Sequence, residues 1–295
     1  MSWKSFIFFL IPIFSYSQAD DYVWWNNKHN WDGITPWSQY IIMEPGYMGP
    51  NSLPVPKIAD GSISQKLSLE TDIDLHFSPG DKTQNLFLDL NIPIQEKVNL
   101  KIWWAPIEHF STDTNTRDMR RARGKDPEGW SVGDVYIATV IALAQNHDKW
   151  PDVTLGINIK TASGNNLENA RHTDAPAYYF DLAFGKTYSL DAEGIYKIRP
   201  YAMGGFYVYQ TNRQDYYQND CILWGTGLDF SIRDWEIKNQ VGGYIGYFGT
   251  LDRPTVYRFQ LWFKQKVVHY QFQFQVGNGS YPYNSVRLGT KFILK

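Results

Sequence analysis

From residue 63 to the C-terminus, apolar and polar positions alternate with a period of two. The clearest case is Ile222, Trp224, Thr226, Leu228, Phe230 and Ile232 against Leu223, Gly225, Gly227, Asp229, Ser231 and Arg233. One set is mostly large and apolar and the other is small or charged, the signature of strands with one greasy face and one wet face. The pattern returns at Tyr257, Phe259, Leu261 and Phe263, at Val268, Tyr270, Phe272, Phe274 and Val276, and at Val286, Leu288, Thr290, Phe292 and Leu294. Several runs keep alternating for about ten residues, the length a tilted strand needs to cross a bilayer. Strands of a soluble β-sandwich alternate too, but usually run about five to six residues. The pattern predicts an all-β fold, a transmembrane antiparallel up-and-down β-barrel of about twelve strands.

The loops support this reading. The expected turns near residues 95–96, 146–149, 189–194, 234–235 and 265–266 are short. Two long polar loops, 108–131 and 163–175, fall in the alternate set. Short turns on one side and long loops on the other are what outer-membrane barrels show, with the short turns periplasmic. Both termini are then expected in the periplasm. Three domains follow: residues 1–17 as a signal peptide, 18–62 as an irregular N-terminal plug or periplasmic segment, and 63–295 as the barrel. The strand near 198–209 alternates too irregularly for its faces to be assigned.

Residues 1–17 combine Lys4, an apolar stretch from Phe6 to Phe14, and small Ser15 and Ser17 before Gln18, which fits a cleaved secretory signal. No other stretch approaches eighteen consecutive apolar residues, so a helical membrane protein is excluded. A formal net charge of −2 gives no electrostatic case for nucleic acid. The lone Cys221 forms no internal disulfide. No His/Cys/Asp/Glu spacing suggests a metal, and no cofactor is expected.

Residues 20–56 differ from the rest. Trp24, Trp25, Trp31 and Trp37 are interleaved with Pro36, Pro45, Pro50, Pro54 and Pro56. These breakers forbid a regular strand. So much tryptophan requires burial, with an acceptor for each indole N–H. A lumen plug reaching Asp72, Asp74 and Gln271, or a flat docking surface for a protein partner beneath the barrel, both satisfy that need.

The lumen-facing positions carry Asp72, Asp74 and Asp229 with Arg233, Arg258, Lys264, Arg287 and Lys291 as candidate pore-lining or solute-binding residues. Acid dominates the first strands and base the last, and these meet when a barrel closes. The interior is then either a salt-bridged seal or a wet channel with opposed charged walls. In the first long loop, Arg117, Arg120, Arg121 and Arg123 form a basic cluster suited to lipopolysaccharide phosphates, or a solvated loop of mixed charge. His172, in Arg171-His172-Thr173-Asp174, has no serine partner on an outward face, so a solvated histidine is expected and catalysis is not.

The segment Lys160-Thr161-Ala162-Ser163-Gly164, followed by Ala170-Arg171-His172-Thr173-Asp174-Ala175-Pro176, resembles the strand–loop–strand of transporter-like outer-membrane β-barrel proteins of Bacteroidota. The resemblance implies a bacterial outer-membrane location and a porin-like channel or transporter for small solutes, with membrane lipid as its surroundings. The alternatives are a closed accessory barrel in a larger complex and an outer-membrane lipid hydrolase. Such barrels usually end on an aromatic residue, whereas here Phe292 is near the end but not terminal.

Overall fold

The computed structural model describes residues 22–294, so the signal sequence expected at 1–17 lies outside the described residues. The chain forms two compact units divided after Thr35. In the first, helix α1 (Val23–His29) ends on Asn30 in the left-handed conformation. The Asp32 carboxylate then accepts from the backbone N–H groups of Ile34 and Thr35, and the Trp31 indole donates to the Thr35 carbonyl at 2.7 Å.

The second unit is the barrel. Its strands are β1 (Ser68–Ser78), β2 (Asp81–Gln95), β3 (Val98–Thr112), β4 (Glu128–Ser131), β5 (Tyr136–Ala144), β6 (Asp152–Lys160) and β7 (Ala177–Gly185). They continue with β8 (Tyr188–Ser189), β9 (Tyr196–Gln210), β10 (Gln218–Ile232), β11 (Trp235–Ile245), β12 (Thr255–Lys264), β13 (Val268–Gly277) and β14 (Asn284–Ile293). β4 is a short ribbon on the outer part of β3, and β8 pairs only with β9. The other twelve pair antiparallel with their neighbours, and β14 with β1, so the sheet has no free edge. Among the described residues no helix is long and apolar enough to cross a membrane, and the closed sheet satisfies its backbone internally, as a bilayer requires.

The alternation in the sequence is the alternation in space. Glu70, Asp72, Asp74 and His76 of β1 point inward and are buried, while Ile73, Leu75 and Phe77 are exposed on the outside. Outward aromatic residues gather at the short-turn end, where Trp235 packs on Phe263 with ring centroids 4.6 Å apart and Tyr196 faces Phe230. An interfacial aromatic belt has this composition.

Four expectations need correction. β1 starts at Ser68, not residue 63, because 63–67 still belong to the irregular segment. The loop expected at 108–131 is largely structured. β3 runs on to Thr112 past a bulge between the pairs Leu86–Ile107 and Leu88–Trp104, the helix α2 (Thr114–Met119) follows, and β4 returns along β3. The bulge contains Pro106, which has no N–H to give the ladder, and it shifts the inward phase from Ala105 to Glu108. The faces of β9 resolve as Tyr201, Met203, Tyr207 and Tyr209 inward with Phe206 outward. The fourth correction concerns where the barrel unit begins. The start of β1 and the end of β14 share the short-turn end, but Pro36 lies at the opposite, long-loop end beside Trp37–Tyr40, a 3-10 turn whose Ser38 carbonyl accepts from Asn212.

The outward face carries a direct test. Phe272 is outward and Asn158 is inward, beside the Asp181 carboxylate. Phe272→Arg places a charge against hydrocarbon and should lose about 2–4 kcal/mol of folding free energy. Asn158→Lys should fold with little loss. The folded fraction, read from heat-dependent gel mobility of each variant in lipid, checks the ordering.

Candidate functional site

Residues 41–66 run through the lumen. Pro45, Pro50, Pro54 and Pro56 leave this stretch rich in carbonyls and poor in N–H groups, so its acceptors need donors from elsewhere. The wall supplies them. Tyr283 donates to Met48, Tyr281 to Pro50 and Tyr244 to Leu53, each at 2.9–3.1 Å. The Arg258 guanidinium donates to the carbonyls of both Val55 and Pro56, and Arg199 donates twice to that of Asp60. Gln145 donates to Gly61, Asn99 to Ser64 and Asn91 to Lys66.

The segment is two-sided. Leu53, Val55 and Ile58 pack with Tyr179, Tyr201, Met203, Tyr207, Leu223 and Tyr244 into one buried apolar cluster. The wall there is cut back to admit Ile58: a Cβ on Gly225 or Gly242 would lie 2.3 Å from its Cδ1. On the other side Asn51 donates to Asn85 and Glu108, and Lys57 bridges Glu70 at 3.1 Å and Asp89 at 3.2 Å. Lys57 lies outside the strands.

The long-loop mouth is closed by a buried polar layer. Arg171 donates to Asp81 at 2.7 Å, to Thr83 at 2.7 Å and to Glu108 at 3.0 Å, and its guanidinium lies over the Phe110 ring. Arg120 reaches the same Asp81 and the Tyr283 hydroxyl. Lys160 pairs with Asp134 at 2.7 Å. His172 is 1% exposed, with its ring 3.6 Å from Glu108 and 4.0 Å from Asp134. The expected solvated loop histidine is therefore a buried one, because the loop folds inward over the barrel mouth.

Below this layer the segment leaves a cavity of about 730 Å³, lined by residues from Asn51 down to Lys66, Lys264 and Lys291 at the short-turn end. Asp74, Asp229, Arg258, Lys264, Arg287 and Lys291 all line it. Asp72 lies just behind the surface, accepting from Gln271 at 2.6 Å and facing Arg287 at 3.3 Å. Where the last strand meets the first, Arg287 donates to both oxygens of Asp74, so the acid-rich and base-rich ends of the chain meet across the closing seam. Asp229 is held by Lys238 at 2.7 Å and by the Tyr201 hydroxyl. Arg233 is not in the lumen. It occupies the exposed turn between β10 and β11 with φ 51°.

The four loop arginines do not form one patch. Arg120 is buried in the mouth layer, Arg117 pairs with Asp118 at 2.9 Å, Arg123 lies over the Trp37 ring, and Arg121 occupies a left-handed position. The tryptophans expected either to wedge into the lumen or to form a docking surface are not part of the stretch 41–66. Trp24, Trp25 and Trp31 belong to the first unit and Trp37 to the rim, while methionine, leucine, valine and isoleucine fill the lumen. Arg171, Asp81, Glu108 and the lumen tyrosines were not singled out from the sequence. Small Ala170 and Ala175 flank the Arg171 loop and are both buried, a signal of an interior loop that the sequence reading missed.

Fold and lumen together define a closed twelve-stranded barrel of the outer-membrane type, occupied by its own chain. No family model matches the sequence, and no curated protein matches it. Solved structures do share the fold. An outer-membrane channel from Pseudomonas putida F1 is similar over 81% of this chain and all of its own, with 11% identity and a TM-score of 0.53. LpxR from Salmonella typhimurium is similar over 77% of this chain and all of its own, with 9% identity and a TM-score of 0.51. The NanC porin aligns over 77% of this chain with 15% identity and a TM-score of 0.49. At these identities the first two likenesses concern the fold alone.

The mouth layer makes its own prediction. Arg171→Met leaves buried Glu108 without its arginine and Asp81 with Arg120 alone, a loss of about 3–5 kcal/mol for a broken buried pair. The variant should unfold at lower denaturant, and protease should cut its lumen segment sooner than in wild type. Arg213→Met, at the exposed pair with Asp215, should change neither.

Proposed function

We propose that this protein is a plugged channel of the bacterial outer membrane for small polar solutes, with surrounding membrane lipid as its structural partner. The observation that carries the reading is the cavity of about 730 Å³ in the lumen, which is in the size range of small-molecule sites. Its walls present amides, such as Asn91, Asn158, Gln260 and Gln273, together with charges largely neutralised by one another. Amides offer both donors and acceptors, which suits uncharged polar solutes. The role assigned to the lumen is binding and passage, without a catalytic step.

The anchoring of the segment favours a second reading, a barrel permanently closed and serving as an accessory subunit. Each bond from wall to segment contributes only about 0.5–1.5 kcal/mol net, so no single one locks the plug, but all must break for it to leave.

A reversible lock separates the two. A Cβ at Gly225 would lie 3.0 Å from Ile58 Cγ1, close enough for a disulfide between Ile58→Cys and Gly225→Cys. In a Cys221→Ser background this pair fastens segment to wall. Liposomes carrying wild-type protein should admit small neutral sugars, the locked variant should not, and reductant should restore uptake. Wild-type liposomes impermeable to every small solute would sink the channel reading in favour of the closed barrel.

A further inference from the structure

The contacts of the lumen segment run in one direction. Thr250 donates to Glu44, Gly46 donates to the Leu251 carbonyl, and Gly49 donates to the Ala170 carbonyl, all in long loops. Leu53 and Val55 then meet β11 and β12 at mid-lumen through Tyr244 and Arg258. Asp60 meets Arg199 and Lys238 nearer the other end. Gly61 reaches Gln145, and Gln65 donates to the Glu96 carbonyl, both in short turns. The segment therefore makes a thirteenth traverse of the barrel, inside it, before β1 turns back along the wall.

In outer-membrane barrels the long loops face the cell exterior and the short turns face the periplasm. We infer that the lumen segment is threaded outward, so that Pro36–Tyr40 stands on the exterior side and the polypeptide enters its own barrel from outside the cell. An outer-membrane chain arrives from the periplasm. Residue 36 must then have crossed the membrane as the barrel closed around residues 41–66, with that stretch and β1 forming one hairpin. The rim around Trp37, Arg123 and Asn212 then faces the cell exterior and not the periplasm. The inference rests on the outer-membrane reading but not on conduction, so it stands or falls apart from the channel.

Cysteine accessibility in intact cells tests it. Pro36 is exposed at the rim, Arg253 is exposed in a long loop, and Glu96 is exposed in a short turn. Each is replaced by cysteine singly, with buried Cys221 giving no background. The cells are treated with a maleimide carrying a polyethylene-glycol chain too bulky for the lumen. The expected result is labelling of Pro36→Cys and Arg253→Cys in intact cells, and of Glu96→Cys only after the outer membrane is opened. Protection at position 36 with labelling at 253 would mean the segment does not emerge. Labelling at 96 with protection at 36 and 253 would mean an inverted barrel with its N-terminal side within. Equal labelling at 36 and 96 removes the sidedness altogether, and each of these three results overturns the inference. Heat-dependent gel mobility confirms folding, and Gln39→Cys replaces Pro36→Cys if the proline variant does not fold.

Discussion

A carbonyl-rich segment inside a donor-bearing wall is the constraint on which the structure depends. A proline-punctuated strand cannot pair with a sheet, because its missing N–H groups leave gaps in any ladder. Enclosed in a lumen, its carbonyls would be buried acceptors without partners, at about 1–3 kcal/mol each. The tyrosines, arginines and amides that point inward from β2, β3, β9, β11 and β12, and from the loop between β13 and β14, answer that need. Side-chain donors can serve an irregular path that no backbone ladder could follow. This explains an interior that is aromatic and basic on one side instead of uniformly polar.

The same segment decides how the interior charges are arranged. Glu70 and Asp89 face each other from β1 and β2, and Lys57 stands between them. Arg287 continues the series to Asp72 and Asp74. Neither of the two interiors expected from the sequence is found in pure form. The charges are paired as in a seal, yet a cavity remains beside them, because the segment presses its apolar edge against β9 to β12 and leaves the opposite polar wall uncovered. At the long-loop end Arg171 and Arg120 draw two loops down onto Asp81.

What was legible in the sequence was whatever lipid enforces. Outward positions must be apolar at every second residue, so strand number, outward faces and the closing seam of acid against base were readable. Inward positions answer to the plug, and there the sequence signal fails. Tyr201, Met203, Tyr207 and Tyr209 of β9 are inward and apolar because Leu53, Val55 and Ile58 lie against that side of the barrel, so both faces of β9 look alike. Pro106 ended the apparent β3 early because a bulge resets the period. Arg120 and Arg171 read as solvated loop charges, since nothing local announces that Asp81 and Glu108, distant in sequence, wait beneath them.

Covalent order adds a final constraint. The segment leads directly into β1, and β1 closes the barrel by pairing with β14 along its whole length. Once that seam is made, residues 41–66 are enclosed on all sides and can enter or leave only end-on. Ile58 sits in a recess made by two wall glycines, and Gly46 packs against Leu251 so closely that a Cβ would lie 2.6 Å from that side chain. Sliding the segment end-on would drive Ile58 out of its recess and carry Gly46 past that loop. The route that avoids both is closure of β14 onto β1 around a segment already in place. The donors on β9, β11 and β12 and in the loop between β13 and β14 have their acceptors only where the closed wall surrounds the segment. That long-range pairing links residues about two hundred positions apart, so loop-closure entropy must be offset by many contacts made together.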